Sequence, residues 1–239
     1  MVTMKKLDVI IKTVENGEEK TSEYEYDGDL NIPVTTLLEK INYNYDKKIH
    51  YSSSCLQGLC GSCTMLINGW PKLACKTFVN EEITTKYYNK ITIEPLSKFP
   101  VIKDLIIDRT QLYENMKESQ QWLESKAKIN LENIEFEYEL SQCIMCGCCL
   151  EACPNYTPDN KHYGVILPVS QAKISKQETN KQQLDFHEKN YNKHFFNHCV
   201  KSLVCEDVCP MNIKTQRAIS VMNHENVWKI REIIEKIKK

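Results

Sequence analysis

The sequence predicts an α+β protein in two parts, and three observations carry that expectation. The first hundred residues alternate in the manner of strands, whereas apolar positions after Pro100 fall at helical spacing. The 12 cysteines of the 239-residue chain form two groups, with none between Cys75 and Cys143. Residues 1–103 are therefore expected to form one domain and residues 104–239 a second.

In the first part, Leu7 to Val14 has strand character, and Asn16-Gly17 is a hairpin signal with Ser22 to Tyr26 as the returning strand. Val34 to Ile41, with Leu37, Leu38 and Ile41 at helical spacing, predicts a short helix. Thr64 to Cys75 reads as a hairpin turning at Asn68-Gly69, and Lys90 to Glu94 as a last strand. A small mixed α/β domain with a cysteine-rich loop results. In the second part, Leu105 to Trp122 is expected to form a partly exposed helix, Ser125 to Glu139 a connector, and Lys173 to Lys193 a solvated surface helix or excursion. Near the end, Val227, Ile230, Ile233, Ile234 and Ile237 form an apolar stripe suited to core packing, with docking on a partner as the alternative.

Composition narrows the function classes. A formal net charge of −1 with 26% charged residues lacks the basic footprint of nucleic-acid binding. No run of 18 apolar residues could span a bilayer, and the N-terminus has no apolar signal core, so a cytoplasmic location is expected. In a reducing compartment 12 cysteines point to metal ligation rather than disulfides.

Cys55, Cys60 and Cys63 followed by Cys75 give C-x4-C-x2-C and a distant fourth cysteine, the spacing of a plant-type [2Fe–2S] site. Three thiolates on one tight loop reach the irons, and a residue from a neighbouring strand closes the cage. Gly58 and Gly61 permit backbone conformations closed to other residues and bring amide N–H groups near the cluster. A zinc site fits less well, because its paired spacings do not predict this loop. His50 lies nearby in sequence and reads as a partly exposed non-ligand.

Cys143-Ile-Met-Cys146-Gly-Cys-Cys149-Leu-Glu-Ala-Cys153-Pro154 contains C-x2-C-x2-C-x3-C-P, the run of two-cluster ferredoxins in which the fourth cysteine serves the other cluster. The second copy keeps Cys199, Cys205, Cys209 and Pro210 but has Ser202 where its second cysteine belongs. Crossing the fourth ligands assigns Cys143, Cys146, Cys149 and Cys209 to a [4Fe–4S] cluster. Cys153, Cys199 and Cys205 are left with three thiolates, which predicts [3Fe–4S]. A fourth iron held by the Ser202 hydroxyl is the less favoured alternative, since thiolate is the preferred ligand. Cys148 is out of phase with the ligands and reads as a packing residue; His198 reads as a surface cap rather than a residue tuning the cluster. No nucleotide-binding or nucleophile motif is present, so no catalytic residue is assigned, and the electron donor and acceptor must be bound largely by other subunits.

These motifs carry a resemblance to a family. Ser54 to Cys63, Ile67-Asn-Gly69, Glu94 to Leu105, Asp108-Arg109, Cys143 to Pro154 and Cys199 to Pro210 together resemble the iron–sulfur subunit of succinate dehydrogenase and fumarate reductase along nearly the whole chain. The resemblance implies a β-grasp [2Fe–2S] domain, an α-helical ferredoxin domain, and electron flow between a flavoprotein subunit holding FAD and a quinone at an integral membrane anchor. The implied order is [2Fe–2S], [4Fe–4S], then [3Fe–4S] nearest the quinone, with the subunit peripheral on the cytoplasmic side of the membrane. Cys146 to Asn155 and Ser202 look most like the Gram-positive, menaquinone-linked branch. Ubiquinone-using relatives typically carry tryptophan shortly after the proline matching Pro154, where this chain has Tyr156-Thr-Pro158; Val200 also stands where they often have histidine. Pro154 and the Cys199–Cys205 stretch are candidates for the quinone-side wall. The resemblance leaves the direction open, succinate oxidation or fumarate reduction. The alternatives are a carrier for another flavin-dependent reductase and a structural zinc protein.

Overall fold

A computed structural model describes residues 6–15, 17–83, 89–158 and 161–225. The chain divides into two units, Met1–Arg109 with Cys146–Glu151, and Thr110–Met145 with Ala152–Lys239.

In the first unit, β1 (Leu7–Glu15) and β2 (Glu18–Tyr26) form an antiparallel hairpin with Glu15 opposite Glu18. The returning strand is thus longer than Ser22 to Tyr26, and Asn16 lies outside the described residues. Strand period places Leu7, Val9 and Ile11 of β1 on one face, and all three are fully buried. They join Leu37, Leu38 and Ile41 of α1 (Val34–Asn44) in the core, each such side chain contributing roughly 1.5–3 kcal/mol.

The second hairpin, β3 (Thr64–Ile67) and β4 (Trp70–Leu73), turns at Asn68 and Gly69. Both have positive φ, 51° and 79°, as a two-residue turn matching the strand twist requires. After the short helix α2 (Val79–Ile83), β5 (Lys90–Glu94) inserts parallel to β1 and antiparallel to β3, completing a mixed sheet in the order β2-β1-β5-β3-β4.

The predicted helix from Leu105 starts later. Leu105 donates its amide to the His50 carbonyl (3.1 Å), and β6 (Val101–Lys103) pairs with β7 (Ile106–Ile107). These tertiary pairings use backbone groups that a helix would need, so α3 covers only Thr110–Glu118.

In the second unit the expected connector also differs. Its end forms a 3₁₀ turn (Leu131–Asn133) and then α4 (Ile134–Ser141), which buries Phe136 and Leu140. The turn starts where the Asn130 side chain accepts a hydrogen bond from the Glu132 amide. The short helix α5 (Cys148–Ala152), most of it in the first unit, comes next in the chain. The Lys173 to Lys193 region is likewise no excursion. α6 (Ile166–Ser175) is largely buried, and α7 (Lys181–Tyr191) buries Gln183, His187, Asn190 and Tyr191. Charge on the outer face hides this inner one. A π-helical turn (Asn192–Phe196), α8 (Val204–Asp207) and α9 (Thr215–Asn223) follow. The apolar stripe from Val227 to Ile237 lies outside the described residues.

Between α6 and α7, the Glu178 carboxylate accepts from the amides of Glu124, Thr179 and Asn180 and from the Ser125 hydroxyl. Burial pushes its carboxyl up, but the hydrogen bonds, led by that from Ser125, more than reverse this and hold it at about 2. The depressed value means stability that is present above the ordinary glutamate range and lost as pH falls from about 4.5 towards 2. The melting-temperature difference between wild type and Glu178→Gln should therefore be constant above that window and shrink within it. A constant difference throughout would contradict this account.

Candidate metal centre

The first cysteine loop, between α1 and β3, is shaped by backbone the sequence chose for it. Leu56, Gly58 and Gly61 all have positive φ (56°, 78° and 72°), which folds the loop back on itself. The fold turns amides inward: Leu59 and Gln57 donate to the Cys55 sulfur at 3.2 and 3.5 Å. Cys63 closes the loop at the start of β3, and Cys75 follows β4, so the second hairpin delivers the distant cysteine. Its amide donates to the Cys63 sulfur at 3.5 Å.

The chemistry of this donor set suits an iron–sulfur cluster. The Cys60 thiol is held well below its usual range, first by the Ser62 hydroxyl (3.1 Å) and then by Cys55. Burial pushes Cys63 up; the Cys75 amide offsets part of this, and the Cys75 and Cys60 thiols add to the rise. Thiols crowded in this way resist joint ionisation, and bound iron removes the repulsion. Leu56 and Leu59 are 60% and 58% exposed, so the loop's apolar rim faces outward.

The Cys146–Glu151 segment belongs to the first unit. Gly147 has φ 92°, and a Cβ there would lie 3.0 Å from Phe99 Cζ and 3.6 Å from Leu96 Cδ1. Gly147→Ala should cost about 2 kcal/mol from strain and overpacking combined. A denaturant midpoint matching wild type would refute this. Burial opposes ionisation of the Cys146 thiol, yet it is held below its usual range, first by Cys148 and with a contribution from Arg109. Cys148 itself is fully buried, as packing requires.

In the second unit, Cys153, Cys199 and Cys205 line one cavity together with Ser202 and His162. Its empty volume is about 370 Å³, open space at its mouth included. Lys201 donates its amide to the Cys199 sulfur at 3.4 Å, and Thr215 Oγ1 stands 3.5 Å from that of Cys205. Burial pushes both thiols up, and Cys153 adds to the rise. Among the described residues, no three such side chains close tightly enough for a single metal ion. The three thiols line the same cavity, and burial and mutual repulsion raise Cys199 and Cys205, so a polycationic iron core bound there would relieve that repulsion.

The loop with the missing cysteine keeps its backbone. Met145 and Gly147 flank Cys146 with φ of 55° and 92°; Lys201 and Leu203 flank Ser202 with 58° and 60°. Leucine adopts this conformation only against its intrinsic preference, by about 1–2 kcal/mol. The residues on either side of Ser202 thus share the left-handed sign of φ with those on either side of Cys146.

His50, 45% exposed, places Nδ1 2.7 Å from Asp104, and the ring of the half-buried His198 faces the Lys193 carbonyl (3.1 Å). Sequence reasoning missed His162, which is buried with Nε2 3.7 Å from the Cys153 sulfur. Nothing local marks it. It also missed Glu151, whose carboxylate accepts from Ser97 N (3.0 Å), Ser97 Oγ (2.6 Å) and Lys98 N (3.0 Å). A charged residue inside a C-x3-C segment was the available signal.

Two family descriptions match these regions: a 2Fe-2S iron-sulfur cluster binding domain over residues 6–114 and a 4Fe-4S dicluster domain over residues 139–213. The fumarate reductase iron-sulfur subunit of Wolinella succinogenes is 30% identical over 219 residues, 86% of this chain and 89% of that protein. The chain belongs to the iron–sulfur subunits of succinate dehydrogenase and fumarate reductase. The succinate dehydrogenase iron-sulfur subunit of Bacillus subtilis, in the same family, is 27% identical over 226 residues, 85% of this chain and 84% of that one. A chain of the Mycobacterium smegmatis Sdh1 complex has the same fold, with a TM-score of 0.75 at 20% identity, covering 93% of this chain and 97% of that one. Electron transfer is the role of this iron–sulfur subunit. None of its 12 cysteines is in a disulfide, and no described helix is long and apolar enough to cross a membrane.

Proposed function

We propose that this chain is the electron-transfer subunit of a succinate:quinone oxidoreductase. It works between an FAD-bearing flavoprotein subunit and a quinone at an integral membrane anchor, peripheral on the cytoplasmic side. The observation that carries the reading is the cavity lined by Cys153, Cys199, Cys205 and Ser202, a three-thiol site in a chain whose other cysteines follow four-thiol spacings. Cys55, Cys60, Cys63 and Cys75 would hold [2Fe–2S], in the domain ending near residue 103. Cys143, Cys146, Cys149 and Cys209 would hold [4Fe–4S], and Cys153, Cys199 and Cys205 would hold [3Fe–4S], in the domain that follows. When bound, these clusters supply one-electron carriers.

The chain's own residues then do the rest. Amides of Gln57, Leu59, Lys201 and Cys75 donate to ligand sulfurs, which stabilises negative charge on them. Menaquinone is the favoured quinone, from the Cys146 to Asn155 segment and Val200, with Pro154 and the Cys199–Cys205 stretch as the quinone-side wall. The same path serves succinate oxidation and, in reverse, fumarate reduction, and this chain carries electrons either way.

The test is purification of the complex from solubilised membranes. A flavoprotein and a membrane anchor should accompany the chain, and succinate should reduce its clusters. Electron paramagnetic resonance should resolve three cluster types, one of them a three-iron cluster paramagnetic when oxidised. Isolation without a flavoprotein, or four-iron signals alone from the second domain, would overturn the reading.

A further inference from the structure

Arg109 makes two contacts that the sequence motifs do not account for. Its Nε donates to the carbonyl of Cys146 and its Nη2 to the carbonyl of Gly61, each at 3.2 Å. Gly61 is buried within the first cysteine loop, between Cys60 and Cys63, and its carbonyl also accepts from Thr64 Oγ1 at 2.7 Å. Cys146 is 8% exposed, at the start of the segment held by Glu151. One half-buried side chain therefore grips two cysteine-bearing loops whose contacts lie 48 and 37 residues from it in the chain.

The residue type fits this task. A guanidinium is planar, offers several donors in a fixed fork, and stays charged at any physiological pH. It can satisfy two carbonyls at a set separation, which an ammonium on a flexible stem does less well. A fixed positive charge beside both loops also favours added negative charge on whatever those loops hold.

We propose that Arg109 is a positioning residue that ties the Gly61 loop to the Cys146 loop, setting the separation of the [2Fe–2S] and [4Fe–4S] clusters and raising both reduction potentials. The proposal rests on the cluster assignment above. Its effect on the electron path is through the loops and through its charge, and it takes no part as a ligand.

The experiment compares Arg109→Gln and Arg109→Lys with wild type in the purified complex. Iron content, redox titration and the magnetic interaction between the two reduced clusters are read together. Arg109→Gln should lower both potentials, shifting each reduction equilibrium by about tenfold, or about 59 mV for one electron. Arg109→Lys keeps the charge and loses the fork, so it should hold both potentials near wild type while changing the magnetic interaction. Unchanged potentials in Arg109→Gln, or a shift in one cluster only, overturn the proposal. If Arg109→Gln does not assemble, Arg109→Lys decides: an interaction identical to wild type overturns it. Absence of either cluster from the wild-type complex overturns the functional reading and this one with it. Intact wild-type clusters with insensitive variants overturn this one alone.

Discussion

Ser202→Cys should add one iron to each chain and abolish the paramagnetic signal of the oxidised three-iron cluster. Ser202 lines the same cavity as Cys153, Cys199 and Cys205. Its flanking residues, Lys201 and Leu203, hold left-handed backbone matching that around Cys146. On the proposed cluster assignment, the substitution places a fourth thiolate on that backbone. A thiolate there would retain the fourth iron, because thiolate is the ordinary cluster ligand. The same substitution should change the rate of electron delivery to quinone, because cluster type and net charge set the reduction potential. Iron analysis and electron paramagnetic resonance of the purified complex check the conversion. Retention of the three-iron signal would show that Ser202 does not occupy the vacant ligand position.

Glu151→Ala is expected to destabilise the protein by about 3 kcal/mol, the largest stability effect anticipated for a residue that is not a ligand. Glu151 is 7% exposed, and its carboxylate takes three hydrogen bonds from Ser97 and Lys98. Hydrogen bonds to a charged acceptor contribute roughly 1.5–3 kcal/mol each. The donors left behind regain some water, because Ser97 is exposed, so the full sum is not reached. Glu151→Gln keeps one acceptor oxygen and should lose less than half as much. Denaturant unfolding of the two variants measures both costs, and a loss under about 0.5 kcal/mol for Glu151→Ala would place it among neutral surface changes. Because Glu151 sits between Cys149 and Cys153, the destabilised variant should also lose iron faster on dilution.

Much of the fold was legible in the chain. Leu7, Val9 and Ile11 alternate as a strand must, and Asn68-Gly69 marks a turn whose φ angles few other pairs accept. Helices in the second part were harder to read. Leu105 to Ile107 have the composition of a helix start, but His50 and β6 take their backbone groups first. Lys181 to Tyr191 is charged enough to look solvated, although Gln183, His187 and Asn190 are buried in it as hydrogen-bonding polar groups rather than as an apolar stripe. Hydrophobic periodicity has no means of registering a face built that way.

The cysteine chemistry was written in spacing, because cluster ligation by a tight loop is a local property of neighbouring residues. The sequence alone therefore determined which 11 of the 12 cysteines are the candidate ligands and that serine stands at position 202 where the spacing calls for a twelfth. Tertiary structure alone decided what holds those loops. Arg109 reaches carbonyls 48 and 37 residues away, and Glu151 reaches amides 54 and 53 residues away. Such contacts leave no periodicity and no fixed spacing in the chain. They exist only once folding has brought distant backbone groups within a hydrogen bond of one charged side chain.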